Sequence, residues 1–170
     1  MKKVLSALVL FLFLLTSCDE PSKETNFEVP KWSSKAVSLP TNDSLSFGKT
    51  YLPVYSQVFS ISEQRTLNLT VMASLRNVSE NHKVYITRAD YYSTSGELIR
   101  KYLDHPVALG PLETTEIVIS ENDFTGGTGA NFIFEWQIPA DSNEPFFEGV
   151  MNSTLGQQGL SFTTEGITIK

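Results

Sequence analysis

Cysteine is almost absent from this sequence, which has one, Cys18, in 170 residues. A single cysteine excludes a disulfide within one chain. Histidine is nearly as scarce, and His82 and His105 both lie in loop-like contexts. Two isolated histidines favour neither a zinc site nor a base positioned for a Ser–His–acid triad. We therefore predict no metal, no cofactor and no catalytic residues of the nucleophilic type.

Positive charge is also in short supply, with 13 Lys+Arg against 19 Asp+Glu. Two of the basic residues, Lys2 and Lys3, lie at the extreme amino terminus. Without residues 1–17 the balance is 11 − 19, a net charge of −8. Such a surface repels nucleic acid and anionic headgroups, and no basic cluster reverses it. Nucleic acid is therefore excluded as a partner.

No hydrophobic run reaches the roughly 20 residues of a membrane-spanning helix. The longest, residues 4–15, follows two lysines and is typical of a secretory signal. The sequence after it, Leu15-Thr16-Ser17-Cys18, resembles the bacterial lipobox, in which the cysteine is lipidated after the signal is removed. We predict a signal peptide over residues 1–17 and a membrane anchor of fatty acyl chains, such as palmitate, on Cys18. Asp19 leaves open which membrane or leaflet of the bacterial envelope carries the anchor.

Residues 18–45 are rich in Ser, Thr, Pro, Asn and charge, and their apolar residues have no period. This composition predicts a flexible tether with a span on the order of 30 Å. Three of its apolar residues, Phe27, Trp32 and Val37, could instead dock on the domain that follows. That domain occupies residues 46–170, which is long enough for one hydrophobic core.

A hydrophobic period of two dominates residues 46–170. Apolar residues alternate with polar ones over 67–75 and again over 132–138, as in half-buried strands. Shorter candidate strands lie at 51–60, 84–92, 98–103, 115–120 and 145–152, and around Leu160 and Ile167. No segment has a convincing helical stripe. The pattern predicts an all-β fold, a single immunoglobulin-like antiparallel β-sandwich of seven to nine strands.

Several phrases of the domain together resemble a family of bacterial envelope lipoproteins that is classed only as a domain of unknown function. In chain order they are YLPVYS (51–56), YY (91–92), GELI (96–99), GGTGANF (126–132), EW (135–136), EGVM (148–151) and QGLSF (158–162). The resemblance covers roughly residues 47–169 and implies no assigned activity. More loosely, the chain resembles immunoglobulin-like accessory domains of envelope proteins, most of which bind other proteins. That likeness is one of fold, which does not determine function.

A glycine-rich loop, ENDFTGGTGANF over 121–132, is the candidate binding loop. It lacks the lysine and the following helix of a phosphate-binding loop. It also fails as a calcium loop, because Phe132 stands where a bidentate glutamate is required. Its glycines could form a small anion-binding nest, or they could only turn the chain. The candidate residues for a small anion or calcium are Asp123, Gly126, Gly127, Thr128, Gly129 and Asn131.

Two carboxylates, Glu135 and Glu148, are the best enzymatic alternative. On neighbouring strands at the right spacing they could act as acid and base on a glycosidic bond. The alternation places Trp136 in the core, however, where it cannot stack on a sugar. This carbohydrate-active or other hydrolytic domain is the second hypothesis.

Three tyrosines, Tyr91, Tyr92 and Tyr102, are candidate contact aromatics, because tyrosine combines contact area with a polar tip. Half-buried packing within strands is the other interpretation of them. The leading hypothesis is a lipid-anchored, non-enzymatic binding or accessory module of the cell envelope. Its partner would be another envelope protein or a glycan.

Overall fold

A computed structural model describes residues 32–41, 44–154 and 159–170. The described chain contains one short 3₁₀ helix, Trp32–Lys35, and twelve strands. The strands are β1 Leu45–Val54, β2 Gln57–Ser60, β3 Ser62–Asn68, β4 Thr70–Arg76, β5 Val84–Tyr92, β6 Leu98–Lys101, β7 Val107–Leu109, β8 Thr114–Ile119, β9 Ala130–Pro139, β10 Phe146–Ser153, β11 Leu160–Glu165 and β12 Ile167–Ile169.

The strands form two packed sheets and a separate hairpin. The larger sheet has six strands in the order β12-β1-β9-β5-β6, and β7 also pairs with β5. The second sheet has four strands in the order β11-β10-β4-β8, while β2 and β3 pair with each other. Every registered pair is antiparallel. The predicted all-β antiparallel sandwich is confirmed.

The strand count exceeds the predicted seven to nine because continuous sequence runs are broken in the fold. The alternating run 67–75 divides at Leu69, whose N–H donates to the carbonyl of Ser56 and so leads the chain out of the hairpin into β4. The candidate strand 51–60 divides at Tyr55 and Ser56 in the same way. The short β7 was not predicted, because three residues carry too little periodicity to be recognised.

Aromatic rings from both sheets fill the centre of the core. The Phe134 ring stacks on Phe147 of the four-stranded sheet at 4.6 Å between centroids, and on Phe132 at 5.3 Å. Tyr91 also stacks on Phe132, at 4.9 Å between centroids. Each fully buried side chain of this size stabilises the fold by about 1.5–3 kcal/mol. The period of two therefore predicted the core face of β9 correctly.

Trp136 is also a core residue, as its position in the alternation predicts, and is 2% exposed. Its indole N–H donates to the Thr50 hydroxyl at 2.9 Å, so its polar atom is satisfied inside the protein. Gly48 on β1 makes room for the ring, because a Cβ there would lie 2.2 Å from the indole carbons. The indole therefore has no free face for a sugar.

The sandwich has two distinct ends, which we call the near end and the far end. The near end is where β1 begins at Leu45, and the far end is where β1 finishes at Val54. The register places the start of β5 and the whole of β7 at the near end. The β2–β3 hairpin and the glycine-rich loop before Ala130 lie at the far end.

Residues 32–37, which belong to the predicted tether, lie against the near end. Trp32 packs on the core, Ala36 forms a bridge with Val107, and the Val37 N–H donates to the Pro106 carbonyl at 2.9 Å. The ammonium of Lys35 pairs with the carboxylate of Glu113. Trp32 and Val37 therefore contact the domain, while Phe27 lies outside the described residues, as does Cys18.

Candidate functional site

The glycine-rich loop is closed by bonds within the protein. The Gly127 carbonyl accepts from the N–H groups of Ser56 and Gln57, each at 3.1 Å. The Gly126 carbonyl accepts from both the N–H and the hydroxyl of Thr94, each at 2.9 Å. These bonds fasten the loop to the start of the β2–β3 hairpin and to the turn after β5.

The amides of the same loop are partly occupied as well. The Gly127 N–H donates to the Phe124 carbonyl at 3.1 Å, and the Gly129 N–H donates to the Thr94 hydroxyl at 2.8 Å. Gly127 has φ of 75°, a left-handed conformation that favours glycine. Since two of the amides that could have formed an anion nest already have protein acceptors, the contacts favour a turn over a binding site.

Gly126 is required by space rather than by conformation. A Cβ at this position would lie 1.9 Å from the Tyr91 hydroxyl oxygen, 2.7 Å from the Ser56 hydroxyl oxygen and 2.8 Å from the Ala130 Cβ. The two hydroxyl groups bond each other at 2.7 Å inside the protein. The glycine thus lets the loop backbone lie against a buried polar pair.

The remaining candidate loop residues do not converge on one point. The Asp123 carboxylate accepts from the Thr125 hydroxyl at 2.6 Å and from the Arg100 guanidinium at 2.9 Å. These bonds, led by that of Thr125, lower the pKa of Asp123 although burial opposes them. Thr128 is half-buried in the loop, whereas Asn131 lies on β9 opposite Pro53. Within the described ranges no three His, Cys, Asp or Glu side chains are placed to hold a metal ion.

The two candidate carboxylates lie on different sheets. Glu135 belongs to β9 of the six-stranded sheet and alternates with the buried Phe134 and Trp136, so it points away from the core. Glu148 belongs to β10 of the four-stranded sheet and alternates with the buried Phe147 in the same way. They therefore lie on opposite outer surfaces of the sandwich. The structure does not bring them together for acid–base work.

Each carboxylate instead has a basic partner on its own sheet. Glu148 pairs with Arg76 at 3.1 Å. Glu135 lies directly across from Lys49 and Arg88 in the register, and accepts from Arg88 at 2.9 Å, with Lys49 at 3.7 Å. Carboxylates that form salt bridges with basic residues of neighbouring strands are typical of a structural role.

The pair Arg88–Glu135 is the centre of a larger ion network. The Arg88 guanidinium also donates to the Asp90 carboxylate at 2.7 Å and to the Tyr92 hydroxyl at 2.6 Å. Burial opposes the charge on Arg88, but the bonds to Asp90 and Glu135 outweigh it and raise the pKa of the guanidinium. Since Asp90 is only 6% exposed, Arg88 is what balances its charge.

The candidate tyrosines have three different environments. Tyr91 is fully buried, and this burial raises the pKa of its hydroxyl against the opposing bond with Ser56. Tyr102 is half-buried beside Phe132, and burial likewise raises its pKa although Arg100 opposes the shift. Tyr92 takes part in the ion network. Tyr91 therefore cannot contact a partner, whereas Tyr92 and Tyr102 keep exposed surface.

The ion network lies within an apolar and aromatic surface of which the sequence analysis had named only Tyr92. Tyr51 and Ile133 face each other on β1 and β9, and Tyr85 continues the surface on β5 opposite Gln137. Phe47 and Ile167, each 60% exposed, extend it towards β12. We call this surface the outer face; its apolar and aromatic members are Phe47, Tyr51, Tyr85, Tyr92, Ile133 and Ile167.

A signal for the outer face was present in the sequence. The residues that alternate with the core positions of β1 and β9 include Tyr51 and Ile133 rather than only polar side chains. A strand that is apolar on its solvent side is unusual for an antiparallel sheet with one face in water.

Among the residues that the structure describes, no helix is both long and apolar enough to cross a membrane.

Comparison with known proteins identifies a family but no activity. Residues 48–169 match the model of a family described as a protein of unknown function (DUF3124). No curated protein matches the chain. Among solved structures, the crystal structure of Thermotoga maritima 1070 is similar with a TM-score of 0.41 and 9% sequence identity, over 74% of this chain and 95% of that chain.

Proposed function

Because the chain belongs to the DUF3124 family of proteins of unknown function, we propose its function from its own residues. We infer that it is a lipid-anchored protein of the bacterial cell envelope whose β-sandwich is a non-enzymatic module that binds another envelope protein. The anchor would be Cys18, and the binding surface would be the outer face. The observation that carries the proposal is the ion network set among exposed and half-buried aromatic residues.

The composition of the outer face supports a protein partner. Tyrosine, phenylalanine and arginine are enriched at protein interfaces because they provide large contact areas, and tyrosine and arginine add polar tips that can bond across the interface. Tyr51 and Tyr85 offer such tips while their rings are already half-buried. Less side-chain entropy is therefore lost when a partner covers them.

The ion network supports specificity rather than affinity alone. The guanidinium of Arg88 is held by three acceptors, so its position is fixed before a partner arrives. A partner has to complement this fixed arrangement of charges, because a like charge placed against it is strongly unfavourable. A surface of this kind selects among the proteins of the envelope.

The binding surface is tested by a double substitution, Tyr51→Ser with Tyr85→Ser, in the full chain. We expect in vivo cross-linking to the partner to fall to background. Val118→Ser is the matched control, because Val118 is 46% exposed on the opposite sheet; it should cross-link like the unsubstituted chain. A double variant that folds and cross-links normally would exclude the outer face as the binding surface.

The anchor is tested separately with Cys18→Ala. We expect this substitution to abolish incorporation of a labelled palmitate analogue and to move the protein from the membrane fraction to the soluble fraction. The tyrosine double variant should remain in the membrane fraction. If the unsubstituted chain takes up no label, the anchor is wrong and the outer face is still tested on its own.

A further inference from the structure

The β2–β3 hairpin stands apart from both sheets at the far end. Its two strands pair only with each other among the described strands, and Val58 is the hydrophobic residue that packs it on the core. Its tip, residues 59–61, carries Phe59 at 60% exposure and Ile61 at 90%. An isolated hairpin is marginally stable in water, so a tip that exposes two large apolar side chains is unfavourable for the free protein.

The backbone at the tip is strained as well. Ile61 has φ of 69°, in the left-handed region, where a β-branched residue is a genuine outlier. Glycine or asparagine would take this conformation with little strain and without exposing an apolar side chain. Strain and exposure in the same residue are typical of a site retained for an interaction rather than for stability.

The hairpin tip lies at the opposite end of the sandwich from the docked segment of the tether. Residues 32–37 contact β7 at the near end, whereas the hairpin follows Val54 at the far end. The ten residues of β1 separate the two ends by about 33 Å. The segment that leads to the proposed anchor and the exposed tip therefore leave the domain on opposite sides.

The length of chain before the docked segment limits what the tip can reach; this step rests on the proposed function. Fourteen steps separate Cys18 from Trp32, which a fully extended chain would span in at most about 50 Å and a flexible one in about 20 Å. Because the flexible span of about 20 Å is shorter than the roughly 33 Å between the two ends, a domain held at its near end on average presents the hairpin away from the bilayer. The charges next to the tip, Glu63 and Arg65, cancel and provide no attraction to anionic lipid.

We propose that the hairpin tip is a second docking site, which inserts Phe59 and Ile61 into an apolar pocket of a protein on the side of the domain away from the membrane. Phe124, 56% exposed in the loop before Gly126, lies at the same end and adds apolar surface next to this site. The occupant is a protein and not lipid, because the tether reaches the membrane from the other end. The tip is distinct from the outer face, whose side chains point perpendicular to the sheet.

The test uses two variants of the full chain, Ser62→Cys and Thr114→Cys, each with one thiol besides Cys18; Ser62 follows Ile61 directly, so both docking side chains stay in place. Thr114 is a close match, since both residues are exposed and each is the first residue of its strand, and it lies at the near end next to Glu113, the partner of Lys35. The rate of reaction with a membrane-impermeant maleimide is measured in intact envelopes and in detergent-purified protein. We expect the Ser62→Cys thiol to react about tenfold more slowly in envelopes than after purification, as mass action predicts for a site occupied in nine copies of ten. The Thr114→Cys thiol should react equally in both.

A lipid-soluble nitroxide quencher then identifies what covers the tip. A dye on Ser62→Cys that is protected in envelopes but not quenched supports a protein, and a quenched dye overturns the proposal in favour of the bilayer. Equal thiol reactivity in envelopes and in purified protein also overturns it. In the supporting case, the protein cross-linked through the Ser62→Cys thiol must fail to co-purify with Ile61→Asn, a substitution that fits the left-handed turn.

If Cys18 carries no lipid, the maleimide experiment gives a different result. The unsubstituted chain has one cysteine, which should be unreactive to maleimide if it carries lipid. Labelling of the unsubstituted chain would mean that the anchor is wrong. The tip is then measured with Cys18→Ala added to both variants, and protection of the Ser62→Cys thiol in that background supports the docking site by itself.

Discussion

The glycine-rich loop and the β2–β3 hairpin lie side by side at the far end of the sandwich and differ in what they offer to a partner. The loop contains Gly126, Gly127 and Gly129, yet its backbone is bonded to Ser56, Gln57 and Thr94. The hairpin contains no glycine, and its tip exposes a strained isoleucine. The loop, whose composition resembles a binding site, has backbone groups that are bonded within the protein. The hairpin, whose sequence resembles an ordinary strand, exposes apolar side chains to solvent.

The difference shows that a glycine in a loop can be required for two separate reasons, its backbone conformation or the space around it. Gly127 meets a conformational need, with φ of 75°, and Gly126 meets a need for space beside the Tyr91 hydroxyl. Neither need involves a ligand. Ile61 shows the opposite situation, because its residue type does not suit its backbone, and this mismatch points to function more directly than the glycines do.

The largest expected effect concerns Gly126. Gly126→Ala would place a Cβ 1.9 Å from the Tyr91 hydroxyl oxygen, so the loop and the buried Ser56–Tyr91 pair have to move apart. We expect a loss of about 3 kcal/mol in the free energy of unfolding, at the upper end for overpacking. Gly129→Ala is the control, because its Cβ would make an ordinary contact with Thr94 at 3.4 Å. Urea denaturation should place Gly129→Ala within about 0.5 kcal/mol of the unsubstituted protein. Equal losses of stability in the two variants would mean that the loop around Gly126 is not rigid.

The hydroxyl of Tyr91 accounts for the next effect. Tyr91→Phe leaves the stacking on Phe132 in place but removes the buried bond to Ser56 at 2.7 Å. An unsatisfied hydroxyl in the protein interior costs about 1–2 kcal/mol, and the denaturation midpoint should fall accordingly. Tyr102→Phe removes only an exposed bond from Arg100, so a change below about 0.5 kcal/mol is expected. If both variants lose the same stability, the loop is not held by the Ser56–Tyr91 pair.

The sequence predicts the strands of the core well because the direction of a side chain in a strand depends only on its position. The alternation over 132–138 placed Phe132, Phe134 and Trp136 inside, and the structure confirms this. The alternation does not show which sheet a strand joins. Glu135 and Glu148 each alternate with buried neighbours, and only the topology places them on opposite surfaces.

The far end could not be predicted because its determining contacts are distant along the chain. Gly126 meets Tyr91 and Ser56, which are 126 − 91 = 35 and 126 − 56 = 70 positions away. No pattern within a short window records such a contact. The break at Leu69 is hidden for a similar reason, since its bond to Ser56 interrupts a run whose alternation continues without a gap.

Relief of strain at the hairpin tip is expected to change stability in the opposite direction. Ile61→Asn suits the left-handed conformation and removes no buried surface, because Ile61 is 90% exposed. The left-handed conformation costs an ordinary residue about 1–2 kcal/mol, so a gain of about 1 kcal/mol in the free energy of unfolding is expected. Phe59→Asn is the control, since it is exposed in a strand with no positive φ and should not stabilise. A neutral or destabilising Ile61→Asn would show that the turn is not strained.

The smallest expected effect concerns Asp123 in the glycine-rich loop, whose contribution to stability depends on pH. The bonds from Thr125 and Arg100 lower the pKa of Asp123, so the folded protein holds this carboxylate ionised at pH values where the unfolded chain is already protonated. Its stabilisation is therefore fully present above the unfolded pKa of about 3.9 and is lost as the pH falls through the lower folded value. Because the Arg100 contact is at the surface, the contribution should stay below about 1 kcal/mol.

Asp123→Asn should accordingly be slightly less stable than the unsubstituted protein at pH 7 and equal to it at the acid end of the titration. Urea midpoints measured between pH 7 and pH 2 would show the two curves converging as the pH falls. Glu63→Gln, which removes one negative charge from the hairpin at the same end, controls for the change in net charge. The Glu63 carboxylate accepts a bond from the exposed side-chain amide of Gln64, so the curve of Glu63→Gln should run parallel to that of the unsubstituted protein. A constant gap for Asp123→Asn would mean that the negative charge of Asp123 contributes nothing to folding, so that the lowered pKa has no part in holding the loop.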